Sequence, residues 1–176
     1  MQSQTEKPRR MREHVGLVAI TAVLTAAATV GITGIATAND GRKEGKEPTK
    51  QEIAALFDEW NTALQTGDAE AVAERYAPGA VLLPTKSSQI RTTHAGIVDY
   101  FEHFQQNDPV GEKTETVVTI LDENTAVDAG TYVFTLTDPE TGEVREVGAR
   151  YSYVYENIDG DWLIINHHSS ETPAEG

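Results

Sequence analysis

Thr125-Ala126-Val127-Asp128-Ala129-Gly130-Thr131-Tyr132-Val133-Phe134-Thr135-Leu136 is rich in β-branched and aromatic residues and repeats with a period of two, the signature of a β-strand with two distinct faces. Three further segments after Pro109 have the same character: Lys113 to Leu121, Val144 to Asn157 and Asp161 to Ser169. Their connections, Asp122-Glu123-Asn124, Asp138-Pro139-Glu140-Thr141-Gly142 and Ile158-Asp159-Gly160, are short and made of turn-forming residues. Four strands joined this way are expected to form an antiparallel meander.

Upstream, the period changes. Thr49-Lys50-Gln51-Glu52 is a capping box, and Ile53, Leu56, Phe57, Trp60 and Leu64 follow as one apolar stripe until Gly67 stops the helix. Asp68 is expected to cap a second short helix running through Val72 and Tyr76 to Pro78-Gly79. Ala80 to Leu83 reads as a short buried strand, and Ile97, Tyr100, Phe101 and Phe104 as a third helix. Helices first and strands afterwards make an α+β domain, most simply a curved antiparallel sheet wrapped over the first helix, with Ile53, Leu56, Phe57 and Trp60 on the concave side.

The 176 residues contain 14 Lys plus Arg, 28 Asp plus Glu and no Cys. The charge is uneven: residues 1–38 hold Lys7, Arg9, Arg10 and Arg12 against Glu6 and Glu13, leaving ten cations against twenty-six anions in the remaining 138. So acidic a surface repels nucleic acid and anionic lipid heads, so no nucleic-acid partner is expected. Without cysteine there is no disulfide framework, thiolate zinc site or thiol nucleophile.

Val15 to Ala38 is a run of 24 residues without formal charge behind a basic stretch, and Ala36-Thr37-Ala38 supplies a small-x-small cleavage site. Residues 1–38 are expected to be an export signal peptide. The rival is an uncleaved N-terminal membrane anchor, since a helix of that length reaches roughly 36 Å against a bilayer core of about 30 Å. The domain is then secreted or extracytoplasmic, and touches a membrane only if residues 15–38 are retained. Residues 39–49 read as a flexible linker, 50–173 as the folded domain and 174–176 as a tail.

The element order resembles the nuclear transport factor 2-like (cystatin-like) fold, a cone whose open end is a pocket. Trp60-Asn61-Thr62-Ala63-Leu64-Gln65-Thr66-Gly67-Asp68, Leu82-Leu83-Pro84-Thr85, Tyr100-Phe101 with Phe104, Ala149-Arg150-Tyr151 with Val154-Tyr155, and Gly160 with Trp162-Leu163-Ile164 and His167-His168-Ser169-Ser170 resemble the bacterial branch related to the association (hub) domain of calcium/calmodulin-dependent protein kinase. Such bacterial proteins often carry the label of an antibiotic-biosynthesis-type oxidoreductase. The resemblance implies self-association into a homo-oligomer, a dimer or larger, and a pocket. In the kinase hub that pocket is lined by arginines that hold small carboxylates; the matching positions here are Tyr132, Tyr153 and Ser169, so the carboxylate cage is not carried over. The chain has no Gly-rich nucleotide loop, His-Arg-Asp catalytic loop or Asp-Phe-Gly motif, so the resemblance implies no kinase activity.

Asp128 shares a strand face with Gly130, Tyr132 and Phe134. On a concave face it would be a carboxylate in apolar surroundings, with a pKa raised toward the range for proton abstraction. A related carboxylate is the base in steroid isomerases of the superfamily; the alternative is a residue solvated near the strand's start or bonded to a turn. His167 and His168 are neighbours on a strand and point to opposite faces, so they cannot share an ion; no metal and no cofactor are expected. The match of Ser169 to a pocket position favours His167 inside. Arg150 needs a partner in a sheet and is expected to meet a carboxylate such as Asp128, a polar ligand or water at the cone mouth. Tyr132 and Tyr153, with Tyr151 and Tyr155, could orient a ligand through their phenols. Tyr100 belongs to a helix-to-sheet core with Trp60, Phe101 and Phe104 and is also a candidate ligand contact, as is Arg91 in a loop near the mouth.

Two functions follow, with a membrane-tethered subunit or sensor partner as a third if residues 15–38 are retained. One is an exported, self-associating small-molecule-binding domain. The other is a cofactor-independent proton-transfer enzyme, isomerase or oxidoreductase-like, acting on a small hydrophobic or polyketide-like substrate with Asp128 or a histidine as base.

Overall fold

The computed structural model describes residues 47–174, so the expected export segment and most of the linker lie outside the described residues. In chain order the elements are α1 (Lys50–Gln65), α2 (Ala69–Ala73), β1 (Tyr76–Leu83), α3 (His94–Phe104), β2 (Val110–Asp122), β3 (Thr125–Thr137), β4 (Val144–Ile158) and β5 (Asp161–Glu171). α1 opens on the capping box: Thr49 Oγ1 accepts from Glu52 N at 3.2 Å, and the Glu52 carboxylate accepts from Thr49 N at 2.7 Å. Its inner face buries Ile53, Phe57, Trp60 and Leu64, while Leu56 is half-buried at the margin.

β2 to β5 form the expected antiparallel meander, and β1 joins its far end parallel to β5, giving the strand order β1-β5-β4-β3-β2. The strand register aligns inward-facing side chains in rows across the curved sheet. Val118, Asp128, Tyr153, His167 and Leu82 make one row through all five strands; Thr116, Gly130, Tyr151 and Ser169 make the next. Against these rows α1 lays Phe57, stacked on Tyr132 and Tyr151 at 6.2 and 6.3 Å, and Trp60, edge-on to Phe101, Phe134 and Tyr153.

Two local expectations change. α2 ends at Ala73, and Tyr76 opens β1 instead of closing a helix. The i, i+4 spacing of Val72 and Tyr76 suits a helix, but Ile164 N donates to Arg75 O at 2.9 Å and Tyr76 pairs with Ile164, so the sheet edge claims this backbone. Gly79, at φ +79°, lies in the irregularity between Tyr76 and Val81, a backbone conformation that suits glycine. β2 starts three residues before Lys113 and is irregular between Lys113 and Glu115. That bulge shifts its alternation by one, so that Lys113 and Val118 both face inward. It also brings the Glu115 carbonyl over Gly130, where a Cβ would lie 1.9 Å from the oxygen.

The outer face of the sheet is β-branched and partly exposed at Val127, Val133 and Val154, with Val117 and Leu121 on β2 each 59% exposed. Among the described residues, no helix is long and apolar enough to cross a membrane.

Candidate functional site

A cavity lies between the concave face of the sheet, α1 and α3. Its walls are Trp60, Tyr100, Phe101, Phe104, Tyr132 and Phe134, completed by Leu82, Leu136, Val147, Ala149 and His167, with Pro84, Thr85, Lys86 and Ser169 also in the lining. No carboxylate is among the lining residues. The space open to the centre of a water molecule is about 30 Å³. So small a space restricts the site to a small occupant.

Two hydrogen-bonded chains supply its polarity. In the first, Trp60 Nε1 donates to Tyr76 Oη at 3.2 Å, and Tyr76 Oη is 2.8 Å from His167 Nδ1. In the second, Tyr132 Oη and Ser169 Oγ share a hydrogen bond of 2.5 Å, and Ser169 Oγ also bonds Thr85 Oγ1. Lys86 forms an ion pair with Glu171.

His167 is 3% exposed, and its Nε2 has no partner. Burial, reinforced by His168, pushes its pKa down to about 3, so the ring is neutral at ordinary pH. Burial raises the phenol pKa of Tyr132 and of Tyr100, which leaves both protonated as donors.

Asp128 is fully buried. Tyr151 Oη donates to Asp128 Oδ1 at 3.1 Å, and Lys113 Nζ donates to Asp128 Oδ2 at 3.3 Å and to the Ala54 carbonyl of α1 at 2.6 Å. Lys113 also sits 5.1 Å from the Phe57 ring centre, within cation–π range. Burial raises the Asp128 pKa, while the Lys113 charge and the Tyr151 hydrogen bond pull it down. The group is tied into a cluster joining β2, β3, β4 and α1, and it does not line the cavity.

Of the residues singled out from the sequence, His167, Tyr132 and Tyr100 line the cavity, as does Ser169. Tyr153 is fully buried and stacks on His167 with ring centres 4.1 Å apart, but stands behind the lining. Arg150 is corrected: it is exposed on the outer face and donates to Ser170 Oγ at 3.3 Å, not to Asp128. The pairing of β3 with β4 is unbroken from Tyr153 to Arg150, so two positions of opposite parity cannot both face inward. The same parity turns His168 outward, where it is exposed. Arg91 pairs with Asp99 at 2.6 Å and borders an open depression with Lys86, Tyr100 and Phe104, not the cavity itself. Among the described residues, no group of three or more His, Asp or Glu could hold a metal ion.

Four contributors are not legible in the sequence. Tyr76 has helical spacing yet opens β1, Lys113 is turned inward by a bulge, and Thr85 and Lys86 meet Ser169 and Glu171 only through tertiary contacts. For Lys113 the available signal was a cation on a strand adjacent to the one carrying an inward carboxylate.

The model of the calcium/calmodulin dependent protein kinase II association domain family matches residues 49–173. A Xanthomonas campestris protein assigned to that association domain is 51% identical, with a TM-score of 0.70 over 72% of this chain and 90% of its own. The association domain of the Caenorhabditis elegans kinase superimposes with a TM-score of 0.57 at 18% identity, over 69% of this chain and 95% of its own. A Streptomyces avermitilis protein of the nuclear transport factor 2-like family, named for a dehydratase, gives a TM-score of 0.63 at 13% identity, over 70% of this chain and 97% of its own. At these last two identities the likeness is one of fold. No curated protein matches the chain.

Proposed function

Because the chain belongs to the calcium/calmodulin dependent protein kinase II association domain family, we propose that it is an exported, self-associating domain whose cone binds a small uncharged molecule, without kinase activity. The observation that carries the binding reading is the composition of the cavity lining: aromatic walls, hydroxyls, a neutral imidazole and no carboxylate. Such a surface encloses and orients a ligand but has no group placed to remove its proton. The buried carboxylate of the inner face, Asp128, is engaged by Lys113 and Tyr151.

Self-association is supported by the family's character and by the outer face, where Val117, Leu121, Val127, Val133 and Val154 remain wholly or partly exposed. An apolar sheet surface of this kind is seldom left to solvent. Export rests on the basic stretch, the uncharged run and Ala36-Thr37-Ala38.

Native mass spectrometry of protein recovered from the extracytoplasmic fraction tests the three parts together. The expected species starts at Asn39, contains at least two copies and retains or accepts a small neutral ligand. A chain still carrying residues 1–20 sinks cleavage and favours the anchor; a monomer at tens of micromolar sinks self-association.

A further inference from the structure

We infer that His167 Nε2–H is the recognition donor of the cavity, set in that tautomer by Tyr76, and that the ligand it takes is a monocyclic carbonyl compound such as a small ketone or lactone. The inference rests on the reading of the cone as a binding site and adds the chemical class of its ligand.

The tautomer follows from counting protons. The Trp60 indole N–H can only donate, so Tyr76 Oη is its acceptor at 3.2 Å. The phenol proton then has His167 Nδ1, at 2.8 Å, as its acceptor. The opposite assignment would point two donors at Tyr76, leave the phenol proton unplaced and leave the Nε2 lone pair bare. A neutral imidazole carries one N–H, so it lies on Nε2. That donor is buried and without a protein partner, a situation that favours whatever acceptor enters beside it.

The remaining chemistry narrows the acceptor. Three hydroxyls, Tyr132, Ser169 and Thr85, share two hydrogen bonds, so that chain also has one proton more than its internal bonds consume. Spare groups here are donors, which suits an oxygen that only accepts; an alcohol would bring a further proton to place. A carboxylate would need a cation, and Lys86, the cation in the lining, is paired with Glu171. Six aromatic side chains in a narrow space suit the flat faces of one small ring.

The test uses the full-length chain labelled with 15N at histidine and two probes of one shape, cyclopentanone and methylenecyclopentane, the second lacking the oxygen. His167 is expected to show a neutral ring protonated at Nε2. Cyclopentanone should shift that nitrogen and bind at least about fivefold more tightly than methylenecyclopentane, the advantage of one buried hydrogen bond. His167→Phe should erase the preference. Tyr76→Phe, which keeps the ring and removes the donor to Nδ1, should reduce the preference and change the tautomer signature, an effect that loss of packing alone would not produce. Equal affinity of the two probes in the unmodified chain, or a proton found on Nδ1, overturns the inference and leaves the cone as a binding site. If neither probe binds or shifts a His167 nitrogen resonance, the binding reading itself falls, and the inference with it.

Discussion

Acidification should destabilise this domain through His167, and the size of the effect can be worked out. In the unfolded chain its imidazole takes a proton as pH falls through about 6.5; in the fold, burial first and His168 second delay this to about 3. Between those values the unfolded state binds the extra proton. The contribution is therefore fully present above about pH 6.5 and is lost as pH falls toward 3, at about 1.4 kcal/mol per unit, or about 2 kcal/mol by pH 5. Asp128 acts in the opposite sense: its raised pKa gives stability that is present below its unfolded value and is lost as pH rises through the folded one. The readout is therefore a difference of slopes. Urea unfolding followed by fluorescence of Trp60 and Trp162, at fixed protein concentration from about pH 7.5 to about pH 5, is compared between the unmodified chain and His167→Phe, so that other titrating groups cancel. The unmodified chain should lose about 2 kcal/mol more than the variant. Slopes equal to within about 0.5 kcal/mol, or an NMR titration of His167 near 6.5, would refute the neutral, buried imidazole on which both the binding site and its ligand class depend.

Gly130→Ala places a methyl 1.9 Å from the Glu115 carbonyl, a backbone atom that can yield only if the β2 bulge is rebuilt. A loss of about 3 kcal/mol is expected in chemical unfolding, and less than about 1 kcal/mol would mean that the bulge adapts. Lys113→Met leaves Asp128 buried with Tyr151 as its remaining donor and should cost about 3 kcal/mol. Adding Asp128→Leu should recover much of that loss, and a double-mutant cycle without coupling would contradict the pairing. Trp60→Ala, which removes a buried ring packed on Phe57, Phe101, Phe134 and Tyr153, should cost about 3 to 5 kcal/mol by the same assay; a neutral change would place α1 off the sheet.

By itself the sequence determined the elements whose causes are local: the capped amphipathic α1, the four alternating strands and the turns that force them into a meander. A helix stripe and a strand alternation are properties of backbone geometry, readable from residue spacing alone. The outward placement of Arg150 was legible as well, since Tyr153 lies three positions away on an unbroken strand and the two cannot share a face. What the tertiary structure decided depends on contacts between distant segments. Pairing with β5 drew Tyr76 out of a helix and delivered its hydroxyl to His167, 91 positions away. The β2 bulge reversed the parity of Lys113 and gave Asp128 its cation, which a count of alternating residues cannot anticipate. The tautomer of His167 was decided in the same way, because it depends on which group lies against Nδ1 and on the exclusion of water from Nε2, and neither is a property of His167 or its neighbours in the chain.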